Sequence, residues 1–159
     1  MIRDFTPADA APVAALDTAL FDGNAWSQAA WAREAGEAAA DRRYLVLEVD
    51  GAVAGYAGIM RAGSDADILT VAVVPGHRGE GHGAALVEHL LRIAEGWRCL
   101  AVFLEVEQSN AAALHLYRSA GFAEVGIRRH YYGTDRHALT MLRRLREPLG
   151  SLPLGGDAR

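Results

Sequence analysis

The chain has 159 residues, 51% of them hydrophobic, and a formal net charge of −4. That size fits one globular domain with an ordinary core, and it excludes global disorder and a membrane-spanning helix, which needs about 18 consecutive apolar residues. All 16 basic residues are arginine, which excludes a Schiff-base lysine, a lysine general base and a P-loop lysine, while the mild acidity argues against non-specific nucleic-acid binding.

"MIRDFTPADAAPVAALDTAL" predicts a short strand through Phe5, then a helix with Thr6 as N-cap and Pro7 at its first position. "WSQAAWAREAGEAAA" predicts a second helix from a Ser27 cap to about Ala40. "RYLVLEVDGAVAGYAGIM" is a hairpin around Asp50-Gly51, and "DADILTVAVVP" is a further strand closed by Pro75. From Gly81 to about Glu95, Leu86, Leu90, Ile93 and Ala94 recur at helical spacing. "CLAVFLEVE" follows as an apolar strand and "AAALHLYRSA" as a helix ending at Gly121. "FAEVGIRRHYY" and "HALTMLRRL" are two final strands.

The order β-α-α-β-β-β-α-β-α-β-β implies an α/β chain with a mixed sheet and helices on its faces. Residues 1–146 form the expected domain. The tail 147–159, rich in Pro and Gly without periodicity, is expected to be loose. A single cysteine, Cys99, rules out an internal disulfide framework. Without a signal-peptide pattern at its start, the chain is expected to be cytoplasmic, with no membrane partner. Six arginines against one Asp between Arg128 and Arg146 read either as a solvated face or as a docking patch for an anionic partner.

"HRGEGHG" at 77–83 admits four readings. Gly79 to Ala84 fits the dinucleotide fingerprint G-x-G-x-x-G/A, but the intervening Pro75-Gly76-His77-Arg78 breaks the required strand-to-glycine continuity. A Walker loop needs Lys where His82 stands. A metal pair of His77 and His82 lacks a third ligand nearby in the pattern, so no metal is expected. The fourth reading is R-x-x-G-x-G, with Arg78, Gly81 and Gly83 between a strand and a helix start. Glycines there let backbone N–H groups face a pyrophosphate, and the helix N-terminus adds about half a positive charge. A plain strand-to-helix turn is the structural alternative.

Glu105 interrupts an apolar strand between Leu104 and Val106, where a carboxylate is costly unless a site uses it. Asn110 opens the next helix, and Tyr117 lies about two turns further along the same face. Each has an ordinary reading alone, as strand-end acid, cap and core-edge tyrosine. Together with "AWS" at 25–27, "ILTVAV" running into "HRGEGHG", "LEVEQSNAAALHLY", Gly121-Phe122 and "RRHYY", they resemble the GNAT-fold N-acetyltransferases from Ile2 to about Leu145. More narrowly, the chain resembles the RimI-like enzymes that acetylate the N-terminal alanine of a small-subunit ribosomal protein. R-x-x-G-x-G marks only the superfamily, and the run LEV-x-x-SN-x-x-A-x-x-LY-x-x-x-GF is far more specific.

The resemblance implies a mixed sheet splayed between its fourth and fifth strands, with acetyl-CoA wedged in the gap. It implies that main-chain groups of Val71, Ala72 and Val73 meet the pantetheine and thioester. Arg78, Gly79, Glu80, Gly81, His82 and Gly83 would cradle the pyrophosphate, and Asn110 would bind the same cofactor. Glu105 matches the family's general base and Tyr117 its general acid. Trp26, Tyr131 and Tyr132 are candidates for lining the acceptor groove, with aromatic core as the alternative. The partner implied is a ribosomal protein's N-terminus.

The chemistry stands beside the name. An α-amine of pKa about 7.7–8.0 needs only a carboxylate to take its proton, and a phenol of pKa about 10 can protonate a thiolate near 8.5. Cys99, beside a buried strand, reads as a core thiol rather than an acyl acceptor. His137 before Ala138, Glu107 and Ala25 depart from the family pattern on the peptide side, which puts the acceptor sequence in doubt. A small amine or a lysine side chain as acceptor, and a non-catalytic acyl-CoA module, are the other readings.

Overall fold

The computed structural model describes residues 1–21, 23–36, 40–133 and 136–146, with the side chains of 36 and 130–133 also outside the description. The expected loose tail lies outside the described residues, as do the side chains of Tyr131 and Tyr132. In chain order the elements are β1 (Ile2–Asp4), α1 (Ala10–Leu20), α2 (Gln28–Gly36), β2 (Arg42–Val49), β3 (Ala52–Ala62) and β4 (Asp65–Val73). They continue with α3 (His82–Gly96), β5 (Ala101–Glu107), α4 (Ala111–Ser119), β6 (Ala123–Gly133) and β7 (Arg136–Arg144). This is the expected order. No helix among the described residues is long and apolar enough to cross a membrane.

The first helix differs from expectation at its start, where a 3-10 turn over Pro7–Asp9 precedes α1. Asp9 causes the tightening. Its Oδ2 accepts from the backbone N–H of Thr6 at 2.7 Å and from Thr6 Oγ1 at 3.1 Å, while Arg3 grips the same carboxylate through both nitrogens at 2.7 and 2.9 Å. Arg3 holds the Asp9 carboxyl below the usual range. A depressed carboxyl stabilises the fold fully above its unfolded pKa, about 3.9, and that contribution is lost as pH falls through the lower folded value. Asp9→Asn should therefore cost about 1–3 kcal/mol at neutral pH. In urea melts at pH 7 and pH 3, the gap from the unmutated chain should narrow at the lower pH.

The hairpin turn is as predicted. Asp50 and Gly51 take φ of 51° and 78°, the left-handed pair of a type I′ turn, between β2 and β3. The seven strands form one sheet in the order β1-β2-β3-β4-β5-β7-β6, antiparallel except for β4 beside β5. Two cores flank it. The larger joins α3 and α4 to the sheet through Leu86, Val87 and Leu90, all fully buried, with Leu104, Val106 and Tyr117. Each such aliphatic side chain contributes about 1.5–3 kcal/mol. The smaller packs Val13 and Ala14 of α1 and Trp31 of α2 on Tyr44, Val46, Tyr56 and Ala72.

The feature that positions the site is a break in this sheet. β4 and β5 pair only at Ala66–Val102 and Asp67–Phe103, so β4 from Leu69 to Val73 has no strand on its β5 side. This is the splay that the motifs implied. A β-bulge accompanies it: Gly58 of β3 pairs with Thr70 and Ile59 with Ile68, which leaves Leu69 as the extra residue. The bulge resets which side chains point where. Ala66, Ile68, Val71 and Val73 all face the α3 core, while Ala72 joins the α1–α2 core.

Candidate active site

The two faces of the splay carry different chemistry. On the α1–α2 face, Asp17, Phe21, Asn24, Trp26, Trp31, Tyr44, Leu69 and Thr70 line a cavity of about 610 Å³, a size typical of ligand sites, which run about 300–1,000 Å³. Its frame is the buried carboxylate of Asp17. Oδ2 accepts from the backbone of Trp26 at 2.8 Å and from Trp31 Nε1 at 3.1 Å, and Oδ1 accepts from the Tyr56 hydroxyl at 2.7 Å. Burial and the Asp17 carboxylate push the Tyr56 phenol well up, so it stays a donor. Trp26 itself is 37% exposed and its ring centroid lies 4.9 Å from that of Trp31, so the sequence's candidate stands at the cavity wall. Tyr131 and Tyr132 lie on β6, and their side chains are outside the described residues.

Glu105 faces the same side. Leu104 and Val106 are buried in the α3–α4 core, and strand alternation turns the residue between them the other way. Its Oε1 accepts from Arg128 Nη1 at 2.5 Å, whereas Oε2 is buried with no partner among the described residues. Burying a carboxylate oxygen without a donor costs about 1–3 kcal/mol. Asp67 belongs to this neighbourhood. It sits between Ala66 and Ile68 and so faces the Glu105 side, and burial, then Asp65 and Glu105, raise its carboxyl above the ordinary range.

Tyr117 approaches from the opposite face. It is buried on α4 in the core with Leu104 and Val106, its ring 5.9 Å from Phe122. Glu105 and Tyr117 thus flank the sheet from its two sides, near the strand where pairing to β4 stops. Val71 and Val73 are half-buried on the Tyr117 side of the gap, and Ala72 is buried on the other.

The glycine loop completes that side. Gly79 and Gly81 take φ of 80° and 85°, the left-handed region that a β-carbon disfavours. Gly81 caps α3, whose first hydrogen bond runs from Ala85 N–H to the Gly81 carbonyl at 3.1 Å. The N–H groups of His82, Gly83 and Ala84 therefore have no partner within the helix, which makes a ready anion site. Gly83 lets α4 approach, since a Cβ there would lie 3.3 Å from Leu116 Cδ2. Arg78 donates Nε to the Val73 carbonyl at 3.0 Å and so ties the loop to the end of β4. Asn110 caps α4, accepting from Ala113 N–H at 3.1 Å. Glu80 stands exposed between His77 and His82 at 3.1 and 3.3 Å, and the imidazoles hold its carboxyl below the usual range.

Several of these residues were not found in the sequence: Asp17, Asp67, the bulge at Leu69, and Arg128. The arginine-rich end is neither wholly solvated nor wholly a docking patch. Arg128 binds Glu105, and Arg136 grips Glu107 with two bonds at 2.8 and 2.9 Å, holding that carboxyl low. Glu80, not weighed as a metal ligand in the sequence reading, brings a carboxylate oxygen to within 4.8 Å of a ring nitrogen of each of His77 and His82. Cys99 is fully buried, and burial pushes its thiol up, as a core thiol requires.

Residues 12–122 match the model of the acetyltransferase (GNAT) family. The N-alpha-acetyltransferase RimI of Mycobacterium tuberculosis is 41% identical over 146 residues, covering 87% of this chain and 89% of that protein. The [ribosomal protein bS18]-alanine N-acetyltransferase of Escherichia coli strain K12 is 39% identical over 111 residues, 69% of this chain and 72% of that one. A crystal structure of the ribosomal-protein-S18-alanine N-acetyltransferase from Escherichia coli superimposes with a TM-score of 0.81 at 29% identity, covering 97% and 99% of the two chains.

Proposed function

The chain belongs to the acetyltransferase (GNAT) family and is an N-acetyltransferase; from that premise we propose that it moves the acetyl group of acetyl-CoA to the free α-amine of a protein, most directly the N-terminal alanine of a small-subunit ribosomal protein. The relatives named for that reaction support the acceptor. One observation carries the mechanism: Glu105 offers a buried, unpartnered carboxylate oxygen on the cavity side of the splay, with Tyr117 across the sheet from it.

The acceptor enters through the cavity beside Trp26, and the family resemblance assigns Tyr131 and Tyr132 to the same groove. Glu105, directly or through a water, takes a proton from the α-ammonium, whose ordinary pKa is about 7.7–8.0. Arg128 holds Oε1, which leaves Oε2 to accept that proton. The amine lone pair then forms the N–C bond at the thioester carbonyl, and the Val73 N–H steadies the oxyanion. The C–S bond breaks, and the departing thiolate takes a proton from the Tyr117 phenol. The nitrogen's remaining extra proton restores that phenol through solvent, and Glu105 releases its own proton to water. No covalent enzyme intermediate is needed.

On the donor side, main-chain groups of Val71, Ala72 and Val73 meet the pantetheine and thioester in the unpaired length of β4. The loop Arg78, Gly79, Glu80, Gly81, His82 and Gly83 receives the pyrophosphate at the α3 N-terminus, and Asn110 reaches the cofactor from α4. A branched side chain at Gly81 would strain the left-handed cap by roughly 1–2 kcal/mol. Gly81→Val should accordingly weaken acetyl-CoA about 5–30-fold by calorimetry, with a smaller effect on kcat.

The test is CoA release from acetyl-CoA with an alanine-initiated ribosomal-protein peptide, against the same peptide with its terminus blocked and an internal lysine present. Release with the first alone supports the proposal. Release with the second makes the enzyme a side-chain acetyltransferase.

A further inference from the structure

The turn between β4 and α3 gathers three side chains with metal-ligating atoms, in the loop whose backbone is proposed above to receive the pyrophosphate. Left-handed Gly79 and Gly81 flank Glu80, so a stretch of six residues folds back until His77, Glu80 and His82 converge. Nδ1 of His77 lies 3.1 Å and Nε2 of His82 3.3 Å from the same carboxylate oxygen, and one ligand atom from each residue lies within 4.8 Å of the others. A tetrahedral zinc ion with ligands at about 2.0–2.2 Å sets its ligand atoms about 3.3–3.5 Å apart. The two separations to Glu80 are close to edges of that tetrahedron, and the third, between the imidazoles, is within 4.8 Å.

The side chains are 35%, 53% and 26% exposed, so an ion can reach them from solvent. Two imidazoles and a carboxylate select zinc and its first-row neighbours over magnesium or calcium, which prefer all-oxygen shells.

We propose that this turn is a zinc-class metal site, with His77 Nδ1, the Glu80 carboxylate and His82 Nε2 as its three protein ligands and the fourth position open to water or an anionic oxygen. The site stands on its own geometry and does not depend on which amine the enzyme acetylates.

The experiment is equilibrium dialysis of the tag-free chain against zinc, with bound metal quantified, and cobalt absorption as a second readout of tetrahedral ligation. The expected result is one ion per chain. His77→Ala and His82→Ala should each raise the zinc Kd at least about tenfold, and Glu80→Gln should weaken it too. His89→Ala and His115→Ala, on α3 and α4 away from the turn, should leave it unchanged. All three ligands sit on an exposed turn, so circular dichroism should match the unmutated chain. Should a variant misfold, magnesium competition on the unmutated chain decides, since the proposal expects excess magnesium to leave zinc in place. No stoichiometric zinc, displacement by magnesium, or binding that survives loss of either histidine would overturn the site.

Discussion

Replacing Glu105 with Gln should lower kcat for acetyl transfer about 10²–10⁴-fold while acetyl-CoA still binds. The amide keeps the size of the carboxylate but cannot accept the amine's proton. Arg128, which donates to Oε1 at 2.5 Å, would keep its partner oxygen, so the side chain should stay in place. The defect should also shrink with pH. Above the amine's own pKa of about 8 the acceptor arrives already deprotonated, and a base matters less. A kcat/KM profile of the variant that rises steeply to pH 9 and approaches the unmutated enzyme would identify Glu105 as the base. A constant deficit at every pH would instead assign it a positioning role.

Tyr117→Phe is the second large effect, expected near 10²-fold in kcat, at the low end for loss of a proton-transfer group. The ring stays, so its contact with Phe122 at 5.9 Å and its place beside Leu104 and Val106 survive. Loss of stability should be limited to about 1 kcal/mol for a hydrogen-bonding hydroxyl. The diagnostic is the leaving group. A thiolate near pKa 8.5 needs a proton at neutral pH, and an acetyl donor with a more acidic thiol should lose less rate in the variant than acetyl-CoA does. An equal loss with both donors would remove Tyr117 from proton transfer.

Much of this was legible in the chain because the elements carry their own periods and their own punctuation. Asp50-Gly51 announced its hairpin, the apolar spacing from Leu86 to Ala94 announced α3, and Glu105 stood out as a charge in an apolar strand. The family-like run from Leu104 to Phe122 singled out Glu105 and Tyr117, the pair proposed here for proton transfer. What stayed hidden depends on registers between strands far apart in sequence. Arg128 reaches Glu105 because Glu105 pairs with Thr140 and Thr140 with Gly126, two small neighbours that leave the space open, and nothing local to "GIRRH" states that. The bulge at Leu69 is equally silent, since "DILTVAV" reads as an unbroken strand although one extra residue turns Val71 and Val73 toward α3. Asp17 looked like any helix aspartate until Trp26, Trp31 and Tyr56 converged on it. The meeting of Glu80 with both histidines was not legible because two left-handed glycines create it.

The proposed mechanism divides the labour between the two faces. The α1–α2 face, with its aromatic cavity and Glu105, would present the amine. The α3–α4 face, with Val71, Val73, the glycine turn and Tyr117, would hold the donor. Glu107, clamped by Arg136, and Ala25 are proposed to bear on acceptor preference rather than on the transfer step.

The most direct test of the central claim is tandem mass spectrometry on one peptide that begins with a free alanine and carries an internal lysine, incubated with the enzyme and acetyl-CoA. A single acetyl group is expected on the alanine α-nitrogen, and none when Glu105→Gln is assayed for the same time at neutral pH. An acetyl group on the lysine ε-nitrogen, or none on either amine while acetyl-CoA is bound, would contradict it.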